Sequence, residues 1–115
     1  MSVVGQVVNR RWDMRIGRHI DIDEAALAVI CHRFGVAELS IFGSILRDDF
    51  AEASDVDVLY VLDDDADIGW AIVDLQEELS GLFGHPVDLV SKRFLRPRFA
   101  ARVIPSAERI FGYAA

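Results

Sequence analysis

Three short groups of residues stand out by type and spacing: Gly43-Ser44, Asp55-Val56-Asp57 and Asp88. Side chains on a strand alternate with a period of two, so Asp55 and Asp57 point to one face. Like charges that close raise each other's pKa unless a cation sits between them. The apolar run VLYVL follows directly, so the pair stands at the start of a strand, not in a solvated loop. Hard divalent cations take oxygen ligands, and Mg²⁺ commonly combines one or two carboxylates with substrate phosphates. Asp88 lies in a second strand-like segment, PVDLVS. If that strand neighbours the first, three carboxylates converge, enough for two Mg²⁺ ions about 4 Å apart. Gly43 permits close backbone approach, and the Ser44 hydroxyl with nearby N–H groups can hold phosphate oxygens. The chemistry these groups support is in-line nucleotidyl transfer. An incoming hydroxyl attacks the α-phosphate and pyrophosphate leaves. Asp88 could accept the hydroxyl proton, directly or through the metal, and the spacing leaves both open.

The elements that must position these groups are legible in outline. Asp21 with Glu24 resembles a capping box. Ala26, Leu27, Ile30, Cys31 and Phe34 then recur at helical spacing up to Gly35, a natural C-terminal stop. Residues 37–42 read as a strand running into Gly43, and 44–54 as a turn or short helix plus loop. Residues 55–62 form the strongest strand, whose continuous apolar end predicts burial on both faces. DDDAD at 63–67 is a loop. Ile68, Ala71, Ile72, Leu75, Leu79, Leu82 and Phe83 make one helical stripe, closed by Gly84. Residues 86–91 are a third strand, with Pro86 at its beginning. A basic helix follows Arg96-Pro97 through about Ile104, continuing past Pro105 or ending there. Residues 1–20 read as an N-terminal arm or short strand (VVGQVV). The fold class expected is α/β or α+β, a small mixed sheet with helices packed on it.

Composition sets limits on the remaining classes. The chain has 115 residues, 52% of them apolar, and a net charge of −7. That argues for one domain over residues 1–115, too apolar for disorder. No apolar run approaches the roughly 20 residues that span a bilayer. No export signal is recognisable, so the cytoplasm is the expected location. A single cysteine, Cys31, excludes an internal disulfide framework and is most simply core. The charge is segregated. Residues 19–88 carry 17 acids against Arg33 and Arg47, between two basic flanks. An acidic centre repels nucleic acid unless screened, so direct nucleic-acid binding is not expected.

The string GSILRDDFAEASDVD, a Gly-Ser pair followed after ten residues by D-x-D, resembles the signature of the polymerase-β-like nucleotidyltransferases. It arises by chance in roughly one chain of this size per thousand. Asp88 in HPVDLV stands where that family places its third carboxylate. The apolar flanks match too, and the resemblance covers about residues 22–112. The small size is similar to the minimal nucleotidyltransferase (MNT) subgroup. The resemblance implies Asp55, Asp57 and Asp88 as catalytic Mg²⁺ ligands, with Ser44 on the triphosphate and Gly43 as its turn. Many relatives read G-S-R-A-R-G. Here Ile45, Leu46 and Asp48 depart while Arg47 remains, so Arg47 is carried over as a phosphate contact on weaker grounds. The resemblance further implies ATP as substrate and a HEPN-domain ribonuclease toxin as partner. Such antitoxins transfer AMP to a tyrosine hydroxyl of the toxin. Two alternatives stay open: neutralisation by binding without catalysis, and transfer to a small hydroxylated molecule. Homo- or hetero-oligomer formation is also open.

Other residues have plainer readings. Ser44 lacks a recognisable base for acyl chemistry. Asp48, Asp49 and Glu52 read as solvated loop, and Asp63 to Asp67 lack the glycine and terminal Glu of a calcium loop. His19, His32 and His85 show no ligand spacing, and His85 reads as a turn residue. Trp70 is expected to pack beside its helix, and Trp12 to be an arm contact or a surface aromatic. The basic group Lys92, Arg93, Arg96, Arg98 and Arg102 could balance acids, face a partner or contact phosphates.

Overall fold

The computed structural model describes residues 13–112, which open on short apolar–polar alternations. Strands β1 (Met14–Ile16) and β2 (Ile20–Ile22) pair antiparallel as a hairpin. Ile16 and Ile22 point inward and are fully buried. On the solvent side Arg15 faces Asp21 directly, with hydrogen bonds of 2.8 and 3.0 Å from its Nε and Nη2. Asp21 is therefore a strand residue and not the cap expected from sequence. The cap is Asp23, whose carboxylate accepts from the Ala25 and Ala26 N–H groups at 3.0 and 3.3 Å. The hairpin consumes Asp21, and the chain turns into helix two residues later. Asp23→Ala is expected to lower stability by about 1 kcal/mol. A urea melt at neutral pH checks it, and an unchanged midpoint would remove Asp23 from this role.

Helix α1 (Glu24–Phe34) buries Leu27, Ile30 and Cys31 and ends at Gly35 in the left-handed region. Burial pushes the Cys31 thiol up to about 12, so it is an inert core residue. Strand β3 (Val36–Phe42) follows, then β4 (Val56–Leu62), α2 (Ala71–Phe83), β5 (Val87–Ser91), α3 (Pro97–Val103) and β6 (Glu108–Phe111). The main sheet has the order β5-β4-β3-β6. β3 runs antiparallel to β4 and β6, and β4 runs parallel to β5. The parallel pair needs a crossover, which α2 supplies. This is the small mixed sheet with helices that the sequence predicts.

The two faces of the sheet have different cores. Leu39, Ile41, Val56 and Val58 join residues of α1, α2 and the hairpin in the larger cluster. Phe42, Leu59 and Val103 form a smaller one beneath α3. The segment around RIF, for which no element was expected, is strand β6, because β3 offers an unpaired edge that Arg109 and Phe111 can join. Two expectations need correction. Trp70 is 91% exposed, because it lies before the first turn of α2 and not on its inward stripe. The end of β4, Tyr60 to Leu62, is half-buried: Tyr60 and Leu62 pack on the larger core, but a pocket bordered by Ala66, Arg93 and Phe94 leaves this end partly open. The VVGQVV arm and Trp12 lie outside the described residues. Among the described residues, no helix is long and apolar enough to cross a membrane.

Candidate active site

The start of β4 sets the site. Val56 and Val58 turn into the larger core, so Asp57 must turn to the opposite face. Register then decides who its neighbours are. Asp57 stands across from Phe42 on β3 and from Asp88 on β5. Paired residues share a face, so Asp57 and Asp88 lie side by side. The next row on that face, Ser40, Leu59 and Val90, is largely apolar and closes the floor. The charged row therefore lies at the sheet end, where water and ligand can reach it.

Asp57 is half-buried, while Asp55 and Asp88 are exposed. Burial pushes the Asp57 carboxyl above the usual carboxylate range, and the charges of Asp88 and Asp55 push it further. Arg47 opposes the shift. Three carboxylates facing one arginine form a local excess of negative charge made of hard oxygen donors. That donor set fits a divalent cation such as Mg²⁺. Among the described residues no group of three or more His, Cys, Asp or Glu side chains is placed to hold a metal ion. Strand register sets Asp57 and Asp88 side by side, and Asp55 directly precedes the same strand as Asp57.

Gly43 begins a single 3₁₀ turn, Gly43–Leu46, directly after β3. Its φ of +78° lies in the left-handed region, and an added Cβ would collide with Asp57 Oδ2. Glycine is thus required twice, for conformation and for space. The turn presents Ser44 beside Asp57, and Arg47 N–H closes it on the Ser44 carbonyl at 2.9 Å. Arg47 leaves the turn exposed, with its Nε 3.3 Å from Asp49 Oδ1.

A cleft of about 650 Å³ opens over this end of the sheet. Gly43, Ser44, Arg47 and Asp57 line one side, and Phe99, Arg102 and Ser106 line the other. Phe99 meets Phe42 edge-on, ring centroids 6.2 Å apart, which fastens α3 over the cleft. Sequence reasoning missed Phe99 and Ser106 and left Arg102 among three readings. Only their packing on the far side of the sheet reveals them. The basic group divides. Lys92 bonds Glu38 at 2.7 Å and Arg93 reaches Asp64 at 3.5 Å, both balancing acids. Arg102 instead lines the cleft.

Comparison with known proteins follows the same outline. The model of the nucleotidyltransferase domain family matches residues 24–110. Over 72 residues the chain is 39% identical to the protein adenylyltransferase MntA of Thermococcus cleftensis, spanning 63% of this chain and 72% of that one. A solved structure assigned to the minimal nucleotidyltransferases superposes with a TM-score of 0.60 at 30% identity, over 93% of this chain and 94% of the other. A chain of the solved complex between a tri-AMPylated HEPN toxin of Shewanella oneidensis and an MNT antitoxin matches with a TM-score of 0.51 at 20% identity, over 78% of this chain and 70% of that one. This last likeness shows a shared fold.

Proposed function

The chain belongs to the nucleotidyltransferase domain family, and from that membership we propose that it is an adenylyltransferase antitoxin. It transfers AMP from ATP to a tyrosine hydroxyl of a cognate HEPN-domain toxin, with residues 1–115 acting as one catalytic domain. The single observation that carries this reading is the parallel register of β4 and β5. It sets Asp88 beside Asp57, and Asp57 lines the cleft together with Ser44. The adenylyltransferase relative and the AMPylated toxin bound to an MNT antitoxin support both nucleotide and partner.

In this reading Asp55, Asp57 and Asp88 hold Mg²⁺, which when bound neutralises phosphate charge and favours ionisation of the acceptor hydroxyl. The chain's own groups do the rest. Ser44 Oγ and the N–H groups of its turn bond triphosphate oxygens, which Gly43 lets approach closely. Arg47 and Arg102 both line the cleft, where their charge would meet the phosphates. The acceptor oxygen bonds to the α-phosphorus as the bond to the β-phosphate oxygen breaks, and pyrophosphate leaves. Asp88 is exposed and on an edge strand, so it can take the hydroxyl proton from an incoming tyrosine.

Incubating the toxin with this protein, ATP and Mg²⁺ is expected to raise the toxin's mass by one or more AMP units. An Asp55→Ala, Asp57→Ala double variant should add none. Neutralisation by that variant, with no mass added by the wild type, would replace transfer with binding alone. In the same reading ATP with Mg²⁺ at 100 times the dissociation constant stabilises the fold by about 2.7 kcal/mol. A melting curve reads this, and an unmoved midpoint at millimolar ligand counts against the site.

A further inference from the structure

The loop from Arg47 to Asp55 joins the two halves of the site but has little structure of its own. Its described internal bonds from backbone N–H groups are Phe50 to the Arg47 carbonyl at 3.4 Å, Ser54 to the Ala51 carbonyl at 2.9 Å and Ala51 to Ser54 Oγ at 3.0 Å. Fixing each such residue costs conformational entropy. Something outside the loop must hold Arg47 and Asp55 where they stand.

Two histidines that serve no catalytic role meet this loop at its two ends. His19, in the turn of the β1–β2 hairpin, places Nε2 2.7 Å from the Arg47 carbonyl. His85, in the turn between α2 and β5, places Nδ1 3.2 Å from the carbonyl of Ser54, the residue before Asp55. Carbonyls only accept, so each imidazole donates, which specifies Nε2–H in His19 and Nδ1–H in His85. Phe50, from the loop itself, sits between them. Its ring centroid is 5.1 Å from His19 and 5.0 Å from His85. Phe50 also packs on the larger core, which anchors the group of three tilted rings. The surrounding backbone agrees. An added Cβ on Gly17 would lie 2.6 Å from the Ile45 carbonyl, so the hairpin turn already abuts the Ser44 turn. On the other side Val56 N–H bonds the Pro86 carbonyl at 2.8 Å, next to His85.

We propose that the His19–Phe50–His85 cluster is a positioning clamp that sets Arg47 at one end of the loop and Asp55 at the other. The two ends serve different steps, given the AMP-transfer reading on which the proposal rests. Arg47 faces the triphosphate, so His19 acts on ATP binding. Asp55 acts at the reacting phosphate, so His85 acts on turnover. A displacement of about 1 Å at reacting groups costs up to about 100-fold.

The test measures kcat and the KM for ATP with the HEPN partner as acceptor. His85→Leu is expected to lower kcat about tenfold with KM within twofold. His19→Leu is expected to raise KM about tenfold with kcat within twofold. His85→Asn puts an amide N–H near the Nδ1 position and His19→Gln near the Nε2 position, so both should recover most of the loss. The clamp is overturned if the leucine variants keep wild-type constants, if both constants move together, or if the amide variants fall as far as leucine. Should wild type transfer no AMP, the transfer reading itself fails. The clamp is then judged by hydrogen exchange of the backbone amides of residues 48–56. Faster exchange in the leucine variants, reversed in the amide variants, supports it, and unchanged exchange overturns it.

Discussion

Asp57→Asn is expected to cut AMP transfer by about 1,000-fold while raising the melting temperature of the ligand-free protein. The loss follows from removing one of three charged oxygen donors where negative charge must be balanced on the reacting phosphate. The gain follows from the same charge seen from the fold. Burial and the neighbouring Asp88 and Asp55 carboxylates push the folded-state pKa of Asp57 upward. Between its ordinary value and that raised value, the folded protein binds more protons than the unfolded chain. Stability therefore falls as pH rises through that window, and the penalty is complete above it. Asparagine carries no such penalty. The difference in melting temperature between variant and wild type should grow from acid toward neutral pH. It should shrink when Mg²⁺ and ATP are added, because only wild type gains from them. A variant that is equally active, or less stable at neutral than at acid pH relative to wild type, contradicts the assignment.

Gly43→Ala should cost about 100-fold in activity and about 1–2 kcal/mol in stability. The stability part comes from placing a Cβ on a residue at φ +78°. The activity part has a separate cause. The new methyl would occupy the space of Asp57 Oδ2, and a side-chain terminus moves more cheaply than backbone. The carboxylate is displaced, so the metal ligand and the phosphate-binding turn are disturbed by one substitution. Transfer kinetics and a denaturant melt on the same sample separate the two terms. Wild-type activity in a folded Gly43→Ala protein would show that Asp57 does not need the position it occupies.

Local signals carried much of the architecture. The apolar stripes of α1 and α2 and the alternation around Asp55 and Asp57 are properties of adjacent residues. Their periods survive folding because each element buries one face. The same holds for Gly35 and Gly84, which end their helices in the left-handed region. Where the reading of residues failed, a distant partner decided the outcome. Asp21 became a strand residue through Arg15 and the hairpin. The C-terminal segment became β6 because β3 had a free edge.

The site divides in the same way. The identities of Gly43, Ser44, Asp55, Asp57 and Asp88, and the chemistry open to hydroxyl and carboxylate oxygens, were determined by the amino-acid sequence. Spacing of two placed Asp55 and Asp57 on one face. That Asp88 stands beside Asp57, and that Phe99, Arg102 and Ser106 wall the cleft, depended on strand order and on the packing of α3. So did the meeting of His19 and His85 across Phe50, from segments 66 residues apart in number. Chain-local geometry extends only a few residues, whereas register, crossover and face assignment are settled by which surfaces bury each other.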